Sequence, residues 1–378
     1  KWLGDRRLKL SGSVRYDKNE NFKGRVNPRI SAVIKAGQNH NFRLSYQTGF
    51  RIPSTQGQHI DLNTISVRLL GGLQRYSDKY QLPRTSTKFP TQYLSYEATS
   101  VQAFRDEVFS TGNFAAAVAK LVPYTTFNEV KPERINSIEV GYKSVIDDNL
   151  LVDLSYYYNT YFDFISQVIV VTAEEYTTNA AIQSIEDDQF SYNADPALEG
   201  TPNYATLLNG SAHLLTGNGI DGNTSSVYTN AAGKVTAMGA VLGLTYNLPK
   251  GYSISSNYNW NRLGDLPSAA FIPEFNTPEH KMNISFGNRK LTDKLGFNIT
   301  WRWQTGFDWQ SSFTNYTSYP VPAYNTLDAQ ISYKIPNLKS MLKIGGSNIL
   351  NNKYIQSGGG PNIAGLYYIS VTYDELFR

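Results

Sequence analysis

The sequence predicts an all-β chain whose antiparallel strands form the wall of a transmembrane β-barrel. Three observations carry that prediction: a two-residue hydropathy period, an excess of aromatic residues, and connections that alternate between short and long. From Arg7 to Asp17, one set of alternate residues is Arg7, Lys9, Ser11, Ser13, Arg15 and Asp17. The other set is Leu8, Leu10, Gly12, Val14 and Tyr16. This period returns about a dozen times along the chain, as it does when one sheet face meets lipid and the other water.

Composition agrees. The chain has 378 residues with 27 Tyr, 18 Phe and 5 Trp, but no Cys and only 3 Met. Tyrosine in such excess fits the aromatic girdles at the two membrane–water interfaces of a barrel. The lack of cysteine rules out a disulfide framework and a thiolate metal site. No apolar run approaches the ~20 residues a spanning helix needs. The net charge is +4 with both signs scattered, so no basic stripe argues for nucleic acid. Lys1 does not open a secretory signal, for no apolar h-region follows it. The expectation is that a leader was removed or that the chain is the C-terminal part of something longer.

In chain order the expected strands are 6–18, 25–36, 41–52, 134–146, 150–166, 234–247, 251–262, 280–290, 295–309, 325–335, 340–355 and 366–377. Alternation is sharpest where Val152, Leu154, Tyr156 and Tyr158 oppose Asp153, Ser155, Tyr157 and Asn159. It is as clear where Phe297, Ile299, Trp301 and Trp303 oppose Asn298, Thr300, Arg302 and Gln304. Trp301 and Trp303 then read as lipid-interface anchors. The glycine-rich stretches 234–247 and 340–355 are less regular.

Short connections at Ala36–Asn41, Ile146–Asn149, Leu248–Gly251, Thr292–Lys294 and Pro336–Lys339 are made largely of turn formers. Between them lie long links near 54–131 and 167–233 and medium ones near 263–279, 310–324 and 356–365. Barrels of the outer membrane have short periplasmic turns and long extracellular loops, so the alternation orients the wall. The two longest links are too large to be passive connectors. In the first, Val101, Phe104, Val108 and Phe109 fall at helical spacing, so a short helix is expected within Ser100–Leu121. The second carries acidic clusters, Glu174–Glu175 and Glu186–Asp188, before a Gly/Asn/Thr-rich stretch from Asn209 to Gly233. They read as a solvated loop surface or as a lid or partner-binding surface.

With the long links outside the cell, a solute meets the wall at the inward faces near the outer rim. The candidate substrate-binding residues there are Arg51 on the third strand and Tyr157, Asn159, Tyr161 and Asp163 on the fifth. Asn257, Asn259 and Asn261 follow on the seventh strand, and Arg302 and Gln304 on the ninth. Amides and carboxylates beside aromatic rings give orientable hydrogen bonds next to stacking surfaces, which suits sugars, peptides or chelated metals. Arg15, Arg29, Arg43, Glu139 and Lys143 read as a charge ladder along the inner wall.

No enzyme signature is present. The histidines His40, His59, His213 and His280 lack metal-ligand spacing, and there is no nucleophile elbow and no P-loop. No catalytic residue, resident metal or cofactor is therefore expected. Two alternatives stay open: a self-contained twelve-stranded channel, and a phospholipase-type barrel enzyme with His280 as general base beside a serine.

NFRLSYQTGFRIPS at Asn41–Ser54 resembles the strand with a GFR-x-P ending found in TonB-dependent outer-membrane transporters. RLKLSGSVRYD (Arg7–Asp17), GRVNPRISAVI (Gly24–Ile34), KPERINSIEVGYK (Lys131–Lys143) and LLVDLSYYYNTYFDFI (Leu150–Ile165) fall in the order seen in that family. So do AYNTLDAQISYKI (Ala323–Ile335), LKIGGSNILNNKYI (Leu342–Ile355) and GLYYISVTYDELF (Gly365–Phe377), the last resembling receptors from Bacteroidota. The resemblance implies about twelve C-terminal strands of a barrel of roughly 22 with a plugged lumen, in the outer membrane of a Gram-negative cell. Its implied partners are outer-membrane lipid, an N-terminal plug with the remaining wall strands, and the TonB complex acting through that plug. A surface substrate-binding lipoprotein is a further implied partner. The implied activity is energised uptake of a siderophore, oligosaccharide or peptide.

Overall fold

The computed structural model describes residues 2–3, 7–64, 67–80, 82, 95–113, 116–117, 119–124, 127–172, 224–264, 266, 271–311 and 318–373. Its main element is a thirteen-stranded antiparallel sheet in which neighbours in sequence are neighbours in space. A two-residue strand, Trp2–Leu3, pairs with the first of twelve longer wall strands. These are β1 (Leu8–Asp17), β2 (Arg25–Ala36), β3 (His40–Arg51), β4 (Glu133–Ile146), β5 (Leu150–Phe162) and β6 (Lys234–Asn247). They continue as β7 (Tyr252–Leu263), β8 (His280–Asn288), β9 (Leu295–Gln304), β10 (Tyr324–Ile335), β11 (Ser340–Ser347) and β12 (Leu366–Tyr373). The order matches the twelve strands expected from periodicity. Among the described residues the two ends of the sheet are not bonded to each other.

Register keeps each face chemically uniform. Across β2, β3, β4 and β5 one row reads Ile30, Tyr46, Ile138 and Tyr158, and the next Ala32, Leu44, Val140 and Tyr156. Such rows continue to Ile299–Ala329 and Ile331–Ile344–Ile369. Their side chains are open: Val14 is 72% exposed and Ile369 74%. A water-soluble sheet would not leave a contiguous apolar face of this size uncovered. Trp301 and Trp303 stand in it, opposite Ile284 and Met282. No described helix is long and apolar enough to cross a membrane, so crossing falls to these strands.

All short turns lie at one end. The β4–β5 hairpin reverses through a β-turn closed by the Asn149 amide on the Ile146 carbonyl, with Asp147 and Asp148 at its centre at φ 48° and 59°, the two positive values of a type I′ turn. At the opposite end, chain that reads in sequence as separate links, the two long ones and the medium one near 263–279, folds into one body, here called the cap. It contains a seven-stranded sheet built from Asp61–Asn63, Arg68–Leu70, Ser95–Glu97, Pro123–Tyr124, Ile165–Thr172, Thr224–Asn230 and Phe271–Ile272. Helices α1 (Thr55–His59), α2 (Gln74–Lys79) and α3 (Ala98–Thr111) complete it. Ile165–Thr172 and Thr224–Asn230 are its central pair, and Arg68–Leu70 of the first link runs parallel to Ser225–Val227 of the second. The two links cannot fold apart.

The cap holds nearly all of the buried apolar core. Val67, Leu69, Tyr96, Val101, Phe104 and Ile169 form one cluster, and Leu70, Leu82, Phe127, Val168, Val170 and Val227 another. The helix expected within Ser100–Leu121 is α3, which starts slightly earlier and ends on Gly112 in the left-handed conformation. Val101 and Phe104 are buried and Val108 packs against them, whereas Phe109 is 75% exposed. The acidic clusters Glu174–Glu175 and Glu186–Asp188, and Asn209–Asn223 of the stretch after them, lie outside the described residues.

Three strands give way, well before the expected bound, to chain that turns elsewhere. The fifth, expected to run to 166, ends at Phe162 because Asp163 takes φ 52° and the chain turns into the cap. The ninth ends at Gln304, and Phe307–Trp309 pairs instead with Tyr319–Val321. The eleventh ends at Ser347, where Asn348 has φ 52°.

Candidate functional site

The polar face of the wall carries the candidate site. Alternation puts Arg51, Tyr157, Asn159, Tyr161, Asn257, Asn259, Asn261, Arg302 and Gln304 on that one face, and register joins them. Tyr157 stands level with Gly239, which pairs with Asn261. The Tyr157 hydroxyl donates to Asn261 Oδ1 at 2.8 Å, crossing over β6. A Cβ on Gly239 would sit 2.6 Å from the Tyr157 hydroxyl oxygen, so only glycine lets the ring lie across this strand. Arg43 lies over Gly141 to reach Asp153 (3.5 Å), and Tyr368 over Gly345 to reach Gln330 (2.8 Å). Flattened side chains over glycines thus line the inner wall.

The cap is fastened to this face. Glu133 at the rim of β4 is 5% exposed, and one oxygen accepts both from Arg51 Nη2 and from the Ile165 amide, each at 2.9 Å. Phe164, Ala231, Val235 and Phe271 cluster beside Tyr161 and Leu263, with Phe164 edge-on to Tyr161 at 5.6 Å. The hairpin that leaves β5 and returns into β6 therefore packs on the inner face at Tyr161, Val235 and Leu263, directly beyond a patch formed by Tyr157, Asn159 and Asn261. Asn159 Oδ1 is buried there without a hydrogen-bond partner among the described residues. An unsatisfied buried acceptor is costly unless a donor arrives from outside the chain or from water.

Beyond this patch, Asn257 faces Gly243 and Asn283, and Asn259 faces Val241 and Lys281. Asn283 leads to Arg302 and Lys281 to Gln304. Arg302 is not a free cation: its Nε donates to Asp328 Oδ2 at 2.8 Å. Asp328 also accepts from the Asn348 amide at 2.9 Å. Beside Gln304, Tyr324 stacks on Tyr354 with ring centroids 4.1 Å apart. Burial raises the Tyr354 hydroxyl above its usual range, helped by Tyr324 and Asp328 and opposed by Arg302.

Sequence reasoning named the ten candidates, and the structure divides them. Tyr157, Asn159 and Asn261 share the patch next to the cap's root, with Asn257, Asn259 and Gln304 along the open wall. Arg51 and Tyr161 fasten the cap. Asp163 lies past the wall strand and ion-pairs with Arg134 at 2.9 Å. Glu133, Gly239 and the Tyr324–Tyr354 pair were missed. A glycine inside an alternating strand was a legible sign of close approach. Glu133 and the tyrosine pair act through partners remote in sequence and left no such sign. The expected charge ladder is partly internal to the wall: Arg43 meets Glu139 and Asp153, and Lys143 meets Asp153.

The phospholipase alternative fails on geometry. His280 pairs with the Tyr258 hydroxyl at 2.7 Å. His40 Nδ1 lies 2.9 Å from Ser144 Oγ, but Ser144 is 1% exposed and Tyr142 shares the same nitrogen, so no nucleophile is presented. Among the described residues no group of histidines or carboxylates is arranged to hold a metal.

A sheet with one lipid-facing side, one polar side and a cap at one end defines an outer-membrane barrel wall of the receptor class. The chain matches the family described as TonB dependent receptor-like, beta-barrel over residues 1–351, and it belongs to that family, a family of receptors and not of enzymes. Solved structures share the fold. The siderophore receptor PirA from Acinetobacter baumannii superposes with a TM-score of 0.55 at 13% identity, over 98% of this chain and 44% of that one. The pyoverdine outer membrane receptor FpvA from Pseudomonas aeruginosa PAO1 gives 0.55 at 13% identity, over 99% and 40%. The FrpB iron transporter from Neisseria meningitidis gives 0.52 at 12%, over 98% and 43%. The chain spans less than half the length of each. No curated protein matches it.

Proposed function

We propose that this chain is the C-terminal part of the barrel of a TonB-dependent transporter that takes up a nutrient across the outer membrane. On this reading the short turns face the periplasm and the cap faces the outside. An N-terminal plug and about ten further wall strands complete the barrel of roughly 22. Energy arrives through that plug from the TonB complex. The substrate is a siderophore, an oligosaccharide or a peptide. It is held on the inner face by Tyr157, Asn159, Asn261 and the open row of Asn257, Asn259 and Gln304. The cap closes over it or meets a surface lipoprotein. The carboxyl-terminal resemblance to Bacteroidota receptors favours such a partner; the three structures named above do not bear on it.

One observation carries the reading: the cap's central hairpin grows out of β5 and β6 and is tied to the inner face at Glu133. A cap rooted in the wall beside the unpaired side-chain oxygen of Asn159 is arranged to close over something bound there. The test is growth of a receptor-deletion strain on single ferric chelates, glycans or peptides, complemented with the intact gene or its Tyr157→Ala/Asn261→Ala variant. One nutrient is expected to require the intact gene and to support at least tenfold slower uptake in the variant, the loss of two ligand hydrogen bonds. Growth on every nutrient without the gene would overturn the proposal. The native protein's intact mass and N-terminal sequence check the upstream plug.

A further inference from the structure

At the cap end of the wall the lipid-facing side changes character between Tyr158 and Phe162. Tyr158 still stands in the apolar belt, level with Ile138 and Met238. The next outward-facing row is polar, with Thr160 between Asn136 and Thr236. Above it Phe162 stands between two cations, Arg134 on β4 and Lys234 on β6. The Arg134 guanidinium carbon lies 5.1 Å from the ring centroid and Lys234 Nζ 5.5 Å. Asp163 bonds Arg134 Nε and fixes that guanidinium in place. Lys234 is exposed, and among the described residues no carboxylate lies within ion-pair distance of it. Of the two cations only Arg134 has a carboxylate partner among the described residues, which leaves Lys234 to attract an anion. The cluster lies roughly 13 Å along the strand beyond Tyr158, counting four residues at about 3.3 Å each. On the orientation proposed above, that level falls at the headgroups, with Leu154, Tyr156 and Tyr158 in the belt that faces acyl chains.

We propose that Arg134, Phe162 and Lys234 form a binding site for the phosphate of an outer-leaflet glycolipid. The ring holds the cations apart, and a phosphate seated against them takes one guanidinium edge and one ammonium. The sugar rests on the polar row of Thr160, Asn136 and Thr236, and the acyl chains descend along the apolar belt. A soluble anion would use only the top of this arrangement, whereas a lipid uses all of it. The site rests on the orientation proposed above but plays no part in uptake.

The test uses the full-length receptor purified in detergent and native mass spectrometry. The probes are a phosphorylated disaccharide-based bacterial glycolipid and the same lipid stripped of phosphate. Lys234→Gln and Lys234→Glu are expected to lower the bound fraction of phosphorylated lipid roughly tenfold or more, the loss of one charge-assisted contact. Phosphate-free lipid should bind the unaltered receptor at the variants' level, and nutrient uptake should be unchanged. Equal binding of both lipids, or full retention by Lys234→Glu, would overturn the site. Displacement by millimolar inorganic phosphate would assign the cations to a free anion and overturn the lipid reading. Orientation is read separately, by labelling Asn113→Cys in intact cells with a membrane-impermeant maleimide. An unlabelled cysteine there would overturn the orientation, and this site with it.

Discussion

The wall and the cap are two solutions to folding in one chain, each suited to a different solvent. The cap buries Phe104, Leu70, Val168 and Ile169 completely, as a water-soluble domain does. Its interior is dry enough that burial pushes the Tyr96 hydroxyl up to about 12, and burial with the nearby Glu97 charge does the same for Tyr124. The wall buries almost nothing of its own and leaves Val14, Ile30, Leu44 and Val140 open. Exposure of an apolar side chain thus has opposite meanings in the two regions: incomplete folding in the cap, and contact with lipid in the wall.

The largest test of that difference lies in the cap core. Phe104→Ala removes a ring with no exposure and should destabilise the cap by about 3–5 kcal/mol. Limited proteolysis should then cut between residues 55 and 130 while the wall keeps its resistance. Loss of the wall as well would mean that the two regions fold as one unit. The converse substitution lies on β4. Val140 is 50% exposed, so a water-facing strand would accept arginine there at little cost. In lipid, Val140→Arg should cost about 2–4 kcal/mol, read as weaker folding into bilayers in a urea titration. A neutral outcome would remove the membrane assignment of this face.

Legibility divides along the same line. Wall strands of eight to fourteen residues pair with their sequence neighbours, so the period-2 pattern in β5 or β9 was readable without the structure. Cap strands such as Ser95–Glu97 and Arg68–Leu70 have three residues, too few for a period. Their partners are also remote: Leu69 pairs with Ser226, and Tyr96 with Val171. Only α3, long enough to show a 3.6-residue period, was visible there. The inner-face candidates were legible because alternation assigns a face, but alternation says nothing about who pairs with whom. It could not reveal that Arg302 is spent on Asp328 or that Arg51 serves Glu133. A deletion of Gln167–Gly233 illustrates the consequence. It removes the cap's central pair, so it should unfold the first link too and cannot probe the second alone.

The seam between the regions gives a smaller effect. Glu133→Ala removes a charged acceptor shared by Arg51 and the Ile165 amide, a loss of about 1.5–3 kcal/mol to the cap's attachment. Hydrogen exchange at residues 164–168 and 230–235 should quicken while exchange at Phe104 stays slow. Glu133→Gln keeps an acceptor for the amide and should fall between. Uniform quickening across the cap would mean that Glu133 supports its core and does not act as a fastening.

The smallest effect is one of pH, at the edge strand Asp61–Asn63 of the cap sheet. Asp61 accepts from Lys79 at 2.6 Å, Tyr80 at 2.8 Å and Arg68 at 3.2 Å. Partial burial tends to raise its pKa, but these donors outweigh burial and hold the carboxyl below its usual 3.8. A group whose folded pKa is depressed stabilises the fold above the unfolded value, and that stability is lost as pH falls through the folded one. The cap of the unaltered protein should therefore keep constant protection from neutral pH down to about 4 and lose a little below it. Asp61→Asn should start slightly less protected at pH 7 and show no such step, so the two curves converge in acid. Parallel curves would mean that the ionised carboxylate contributes nothing, and that the surface of the cap, unlike its core, is held by shape alone.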